Sequence, residues 1–268
     1  MLFKLRLEDI SMELWGYSVW TIVFICFGVF LAGFLDAIGG VGGIISVPTY
    51  LIAGLPTHFA LGTNLLSSCI GTAASTFRYI KNGYVDWVLA APSIVLAILG
   101  AHLGTTLQLM VDERYLKYLL LIVLPIVAFV MFRKKELPEK KGEMNPWLRR
   151  AIVWAVALIV GAYDGFYGPG AGTFLLFAFC HLAKLDVRTS SGNVKVVNLS
   201  SNIGAVVTSL MAGKVLIPIG LLAAVFSFAG QYLGAGLTIK NGSKIVRPVV
   251  FLVLILLAVR VISELLGA

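Results

Sequence analysis

Runs of apolar residues dominate the chain. They fall at about 14–35, 44–55, 59–80, 87–110 and 115–132, and after a charged stretch at about 148–163, 171–183, 190–212, 215–237 and 245–266. A straight helix needs about 20 apolar residues to cross a hydrocarbon core about 30 Å thick, since each residue advances it by about 1.5 Å. The runs at 44–55 and 171–183 are too short, and each stands second in its group of five. A glycine cluster precedes each one: Gly39, Gly40, Gly42 and Gly43 in the first group, and Gly168, Gly170 and Gly172 with Pro169 in the second. The pattern predicts two short helical hairpins tipped by glycine, each followed by three full spans.

The coincidence of the two short runs points to an internal repeat. An offset of 130 places Gly62 on Gly192, Gly83 on Gly213, Val85 on Val215, Gly100 on Gly230, and Leu103-Gly104 on Leu233-Gly234. It also pairs Arg114 with Lys244 and Lys117 with Arg247. An offset of 128 places Gly33 on Gly161, Asp36 on Asp164, Gly40 on Gly168 and Gly42 on Gly170. Single glycine matches mean little in such a chain, but a sustained register with matching charges reads as a duplication. Its parts are a first repeat over 1–132, a charged loop over 133–147 and a second repeat over 148–268.

Composition agrees with a membrane solvent. Of 268 residues, 59% are hydrophobic and 13% charged, with mean hydropathy +0.95 and net charge +8. Soluble domains are about a quarter charged, so a water-soluble globule is excluded, as are a disordered chain and a disulfide scaffold. The fold class expected is an all-α polytopic membrane protein of two inverted repeats. The basic excess clusters between Arg133 and Arg150, as in a cytoplasmic loop under the positive-inside rule, and not as in a nucleic-acid surface. With that loop inside and each short run returning to its own side, the inside also receives Arg78, Lys81, Lys184, Arg188, Lys240, Lys244 and Arg247. The outside receives Lys4, Arg6, Arg114, Lys117 and Lys214, and both termini lie outside. Lys4 and Arg6 are followed at once by Glu8, Asp9 and Glu13, which is not a cleavable leader, so the first run is expected to stay. Trp15, Trp87 and Trp147 fall where an aromatic belt is expected, and Arg78 where a cation snorkels.

Few residues are left for chemistry. Cys26, Cys69 and Cys180 are single and apart, and His58, His102 and His181 form no helical pair, so no metal and no cofactor are expected. No Walker sequence is present, Gly40-Val41-Gly42-Gly43 lacks a nucleotide-binding context, and no catalytic constellation appears. The chain is not expected to be an enzyme. Asp36 and Asp164 precede the two tips. Intramembrane carboxylates are costly, and each suits either proton coupling or capping of the glycine turn that follows. The third run of each repeat is polar for part of its length, with Thr63 and Asn64 in the first, and Asn193, Lys195, Asn198 and Asn202 in the second. Lys195, Asn198 and Asn202 share one helix face. They suit an oxyanion, or alternatively an interhelical cluster in which Lys195 pairs with Asp36 or Asp164. Backbone N–H groups at the glycine tips suit an anion too, although small residues also serve close helix packing.

At these residues the sequence resembles the TauE/SafE family of sulfite and organosulfonate exporters, grouped with toluene sulfonate uptake permeases. The resemblance runs from about Trp15 to Ile262. It rests on Gly33-Phe34-Leu35-Asp36 with the glycines, Ala60-Leu61-Gly62-Thr63-Asn64, Gly83-Tyr84-Val85-Asp86-Trp87, Tyr163-Asp164-Gly165-Phe166-Tyr167-Gly168-Pro169-Gly170, and the stretch from Lys195 to Asn202. Two departures fall in the expected site: Leu65 follows the Thr-Asn pair where a lysine is usual, and Asn193-Val194 replace a Thr-Ala. The resemblance implies a cell-membrane secondary transporter, an exporter of small anions such as sulfite, sulfonates or thiosulfate. Residues alone reach an anion-compatible transporter working by alternating access, with protons as candidate coupling ions. A passive anion channel, a permease for a carboxylate or other organic anion, and a non-transporting scaffold stand as alternatives.

Overall fold

The computed structural model describes residues 13–14, 16–112, 114–116, 137–242 and 244–245. The apolar runs read at 115–132 and 245–266 lie almost wholly outside them, as do Trp15 and the N-terminal charges. A two-residue β-ladder, β1 (Glu13–Leu14) with β2 (Tyr17–Ser18), opens the described part, an element that the all-helical expectation lacked. Ser18 then caps helix α1 (Val19–Gly39) by accepting from the Thr21 N–H. Gly40 stops α1 in the left-handed conformation, at φ 72°, with its N–H on the Asp36 carbonyl.

The short run folds as α2 (Gly42–Ile52), whose 11 residues span only about 16 Å. Two long helices follow, α3 (Thr57–Lys81) and α4 (Trp87–Met110), the latter capped by Asp86. The second half repeats the plan. Asn145 and Pro146 start α5 (Pro146–Phe166), with the proline at a first-turn position where no N–H is missed. The second short run is α6 (Ala171–Phe177), continued by a π turn over Ala178–Leu182. Asp186 caps α7 (Val187–Met211), and α8 (Ile217–Asn241) ends the described helices.

Helices α1, α4, α5, α7 and α8 are long and apolar enough to cross a membrane. Together with α3, of equal length but more polar, they make this a multi-pass membrane protein. Phe27, Leu99, Leu103, Leu107, Ile159, Val225 and Leu233 are exposed on its flanks, where lipid replaces water. Trp87 and Trp147, 51% and 70% exposed, sit at the first turns of α4 and α5. Arg78 does not simply extend outward. Its Nη1 donates to the Tyr232 carbonyl at 2.7 Å and its guanidinium lies 4.4 Å from that ring's centre, tying α3 to α8.

Among the described helices, the first of each half packs on α8 or α4, the last long one of the other half. Gly230 and Gly234 of α8 lie against the α1 backbone at Phe30 and Phe34, and Gly100 and Gly104 of α4 lie against the α5 backbone at Leu158 and Ala162. Gly62 meets the Lys214 carbonyl, and Gly192 the Tyr84 carbonyl. The offsets that register the sequence, 128 and 130, map each contact onto its counterpart. Small residues permit this approach, so these glycines serve packing.

The loops gather at two ends. At one, the central segment is bonded to the α6–α7 connection: Gly142 N–H to the Lys184 carbonyl, Val187 N–H to the Pro138 carbonyl, and Arg149 to the carbonyls of Ala183 and Gly142. Lys141 approaches Asp86 there, at 3.9 Å, and Arg188 approaches Glu139 at the same distance. At the other end, Tyr17, Leu55 and Leu216 share one apolar cluster, and Lys214 lies over the Phe59 ring.

Candidate functional site

The two hairpin tips meet inside the helix bundle. The Thr173 hydroxyl donates to the Gly39 carbonyl at 2.7 Å and reaches the Gly40 carbonyl at 3.1 Å. Gly40 and Gly172 are in backbone contact: a Cβ on Gly40 would lie 2.5 Å from the Thr173 nitrogen, and one on Gly172 2.7 Å from the Gly40 Cα. Neither position has room for a side chain. Gly168 and Gly170 hold φ of 90° and 85°, which shapes the second tip around Pro169, whose carbonyl accepts from the Tyr163 hydroxyl at 2.6 Å.

Beside the tips lies a cavity of about 50 Å³, room for a small ion of a few heavy atoms. Of the residues expected at the site, Asp36, Gly40, Gly42, Gly43, Asn64, Asp164, Gly168, Gly172, Asn198 and Asn202 line it. Gly39, Thr63, Gly170, Asn193 and Lys195 do not. Thr63 turns away and accepts from the Leu216 N–H at 3.0 Å, which secures the start of α8. Asn193 donates back to the Thr189 carbonyl at 2.8 Å. Gly39 offers its carbonyl to Thr173, and Gly170 opens α6.

Lys195 is 2% exposed and spent on Asp36. Its Nζ donates to Asp36 Oδ2 at 2.6 Å and, at 2.7 Å, to the Asp36 carbonyl, which thereby accepts a second bond beside that from the Gly40 N–H. Asp36 Oδ2 also accepts from Gln231 Nε2 at 2.7 Å, and Oδ1 from the Gly42 N–H at 3.0 Å. Asp36 is therefore both an ion-pair partner and the cap of α2. Asp164 is held differently: its Oδ2 accepts from the Ser201 hydroxyl, which also lies 3.0 Å from the Asn198 carbonyl.

Ser68, from the polar stretch of the third run, also lines the cavity, as do Gln108, Gln231, Thr72, Ser46 and Ser227, which the sequence pattern does not single out. Glutamine within an apolar run was the available signal for Gln108 and Gln231, since such a group in a membrane seeks a partner. Thr72 had a signal in the repeat. It falls on Asn202 at the offset of 130, and Asn202 Nδ2 reaches its hydroxyl at 3.5 Å. The Asn198 amide makes no side-chain hydrogen bond among the described residues, so it can turn either N–H or oxygen toward a ligand.

A small, polar, mostly buried chamber between two broken helical hairpins is what a membrane carrier needs, and the comparisons with known proteins agree. The family described as sulfite exporter TauE/SafE matches residues 25–261. The chain belongs to the TauE/SafE family. Its similarity to curated relatives runs nearly end to end. A probable membrane transporter protein, ORF9, of Sinorhizobium sp is 33% identical, covering 91% of this chain and 93% of its own. The probable membrane transporter protein YfcA of Escherichia coli K12 is 30% identical, with 89% and 88% covered. A probable membrane transporter protein of Haemophilus influenzae is 29% identical, with 93% and 96% covered. No solved structure matches the chain. This TauE/SafE chain is thus a membrane transporter, and its chamber is the candidate binding site.

Proposed function

We propose that the protein is a secondary transporter that binds a small sulfur-containing anion, such as sulfite, a sulfonate or thiosulfate, in the chamber beside the hairpin tips. The observation that carries this reading is the chamber itself. It is large enough for one such ion and is lined by the hydroxyls and amides of Ser46, Asn64, Ser68, Thr72, Asn198 and Asn202. These groups replace the hydration shell of an oxyanion through hydrogen bonds strengthened by its charge. The family description supports the sulfur chemistry and export.

The two halves act as inverted repeats, and rocking of one against the other around the fixed site gives alternating access. Supporting this are the reciprocal glycine contacts and the two hairpins that reach the chamber from loops at opposite ends of the bundle. The end that gathers Lys141, Lys184 and Arg188 is cytoplasmic by the positive-inside rule, in the cell membrane, with both termini outside.

Reconstitution into liposomes tests the reading with a panel of sulfite, methanesulfonate, sulfoacetate, thiosulfate, sulfate and small carboxylates. Saturable flux of sulfur oxyanions with counterflow is expected. Failure of every anion to move or bind refutes it, and non-saturating flux without counterflow replaces the carrier by a channel.

A further inference from the structure

The two aspartates occupy equivalent positions, 128 residues apart, yet their surroundings differ in kind. Asp36 faces donors: the Lys195 ammonium, the Gln231 amide and the Gly42 N–H. A proton on Asp36 would meet N–H groups and strand a buried cation, so Asp36 stays ionised. At the offset of 130, Lys195 falls on Leu65 and Gln231 on Ala101. The cation and the amide of the first site thus have apolar counterparts in the second. Leu65 lines the chamber and packs with Ala101, Ala205 and Val206.

Asp164 has a hydroxyl in place of fixed donors. Ser201 can donate to an ionised Asp164, or accept from a protonated one while donating to the Asn198 carbonyl. Both protonation states are therefore satisfied without moving a helix. Among the described residues, the other groups around Asp164 offer no countercharge. On α5, Tyr163 is bonded to the Pro169 carbonyl, and Tyr167 follows at the tip. Thr105 and Gln108 come from α4, Leu65 from α3 and Asn198 from α7. Among the described residues, Asp36 and Lys195 are the charged side chains that act on Asp164, and they are paired with each other.

The chamber's charge then follows. With Asp36 and Lys195 paired, an ionised Asp164 leaves the described lining with one net negative charge against any anion that enters. Resting on the anion reading above, we infer that Asp164 takes up one proton for each monovalent anion bound, so that the protein moves anion and proton together in an electroneutral step. The proton enters on the carboxylate as the anion arrives and leaves from it when the anion departs on the other side. Membrane potential drops out of the driving force. Export then runs on accumulation of the anion inside, while an inward proton gradient drives uptake.

The test uses purified protein in liposomes with methanesulfonate, an anion that does not itself carry protons near neutral pH. Wild-type protein is expected to acidify the compartment that gains anion, one proton per anion. At clamped zero potential, it should accumulate methanesulfonate about tenfold per pH unit of gradient. Asp164→Asn should bring that ratio to about one. Leu65→Lys, which supplies the missing cation, should do the same and keeps the test open if Asp164→Asn does not fold. Wild-type anion flux without proton movement, dependence on sodium, or undiminished acid-driven accumulation in both variants overturns the inference and leaves the anion reading standing. Absence of flux for methanesulfonate and every other anion of the panel instead overturns the anion reading, and the inference with it.

Discussion

Asp36 Oδ2 and Lys195 Nζ stand 2.6 Å apart, an ion pair that joins the tip of the first hairpin to a helix of the other half. Because the lysine also closes the end of α1, the pair fixes where α7 crosses the tip. Removing one member of a buried pair strands the other at about 3–5 kcal/mol, whereas removing both costs far less. Lys195→Met is therefore expected to lower the unfolding midpoint in detergent sharply. Adding Asp36→Asn should recover much of the loss, as thermal unfolding of the two single variants and the double variant will show.

The tip contact predicts a second result. Gly172→Ala drives a Cβ to 2.7 Å from the Gly40 Cα, at a helical position where alanine carries no backbone strain of its own. Anion flux should collapse. Gly142→Ala is the control, because its Cβ comes no nearer than 3.1 Å to the Lys184 side chain, away from the chamber, and should leave flux nearly intact.

Reciprocal packing predicts matched costs. Gly104→Ala and Gly234→Ala press against the backbones of α5 and α1 at equivalent sites, and each should cost about 1–3 kcal/mol through overpacking. Thermal midpoints differing widely between the two would tell against equivalence of the halves.

Asn198 lines the chamber with an unengaged amide. A hydrogen bond to a charged ligand contributes about 1.5–3 kcal/mol, so Asn198→Ala should raise KM for the transported anion at least about tenfold. The unfolding midpoint should hardly move, because no protein hydrogen bond is lost.

Sidedness is testable by labelling. In a background without Cys26, Cys69 and Cys180, Lys141→Cys should react with an impermeant maleimide only from the cytoplasmic face, and Lys214→Cys only from outside. Reaction of both from one face would refute the orientation.

Apolar length and charge spacing locate the described helices closely: the run at 87–110 is α4, and the two short runs are α2 and α6. Hydropathy reports how long a segment can stay in lipid, and glycine reports where a helix can stop, so both are properties of neighbouring residues. The tips also followed from chain order, since Gly40 ends α1 in a conformation glycine adopts freely.

Side-chain direction was the part that chain order left open. Thr63 and Asn64 are adjacent and so point about 100° apart on one helix. Packing of α8 turned Thr63 to the Leu216 N–H and left Asn64 to the chamber. Lys195, Asn198 and Asn202 share a face, yet only the asparagines line the chamber, because Asp36 claims the lysine. Gln108 and Gln231 entered through the packing of α4 on α5 and α8 on α1, contacts between residues far apart in the chain. The local sequence thus set membrane class and helix limits, which depend on composition and short-range spacing. Which of two equivalent aspartates is paired depends on groups brought from other helices, and that was settled only when the helices packed.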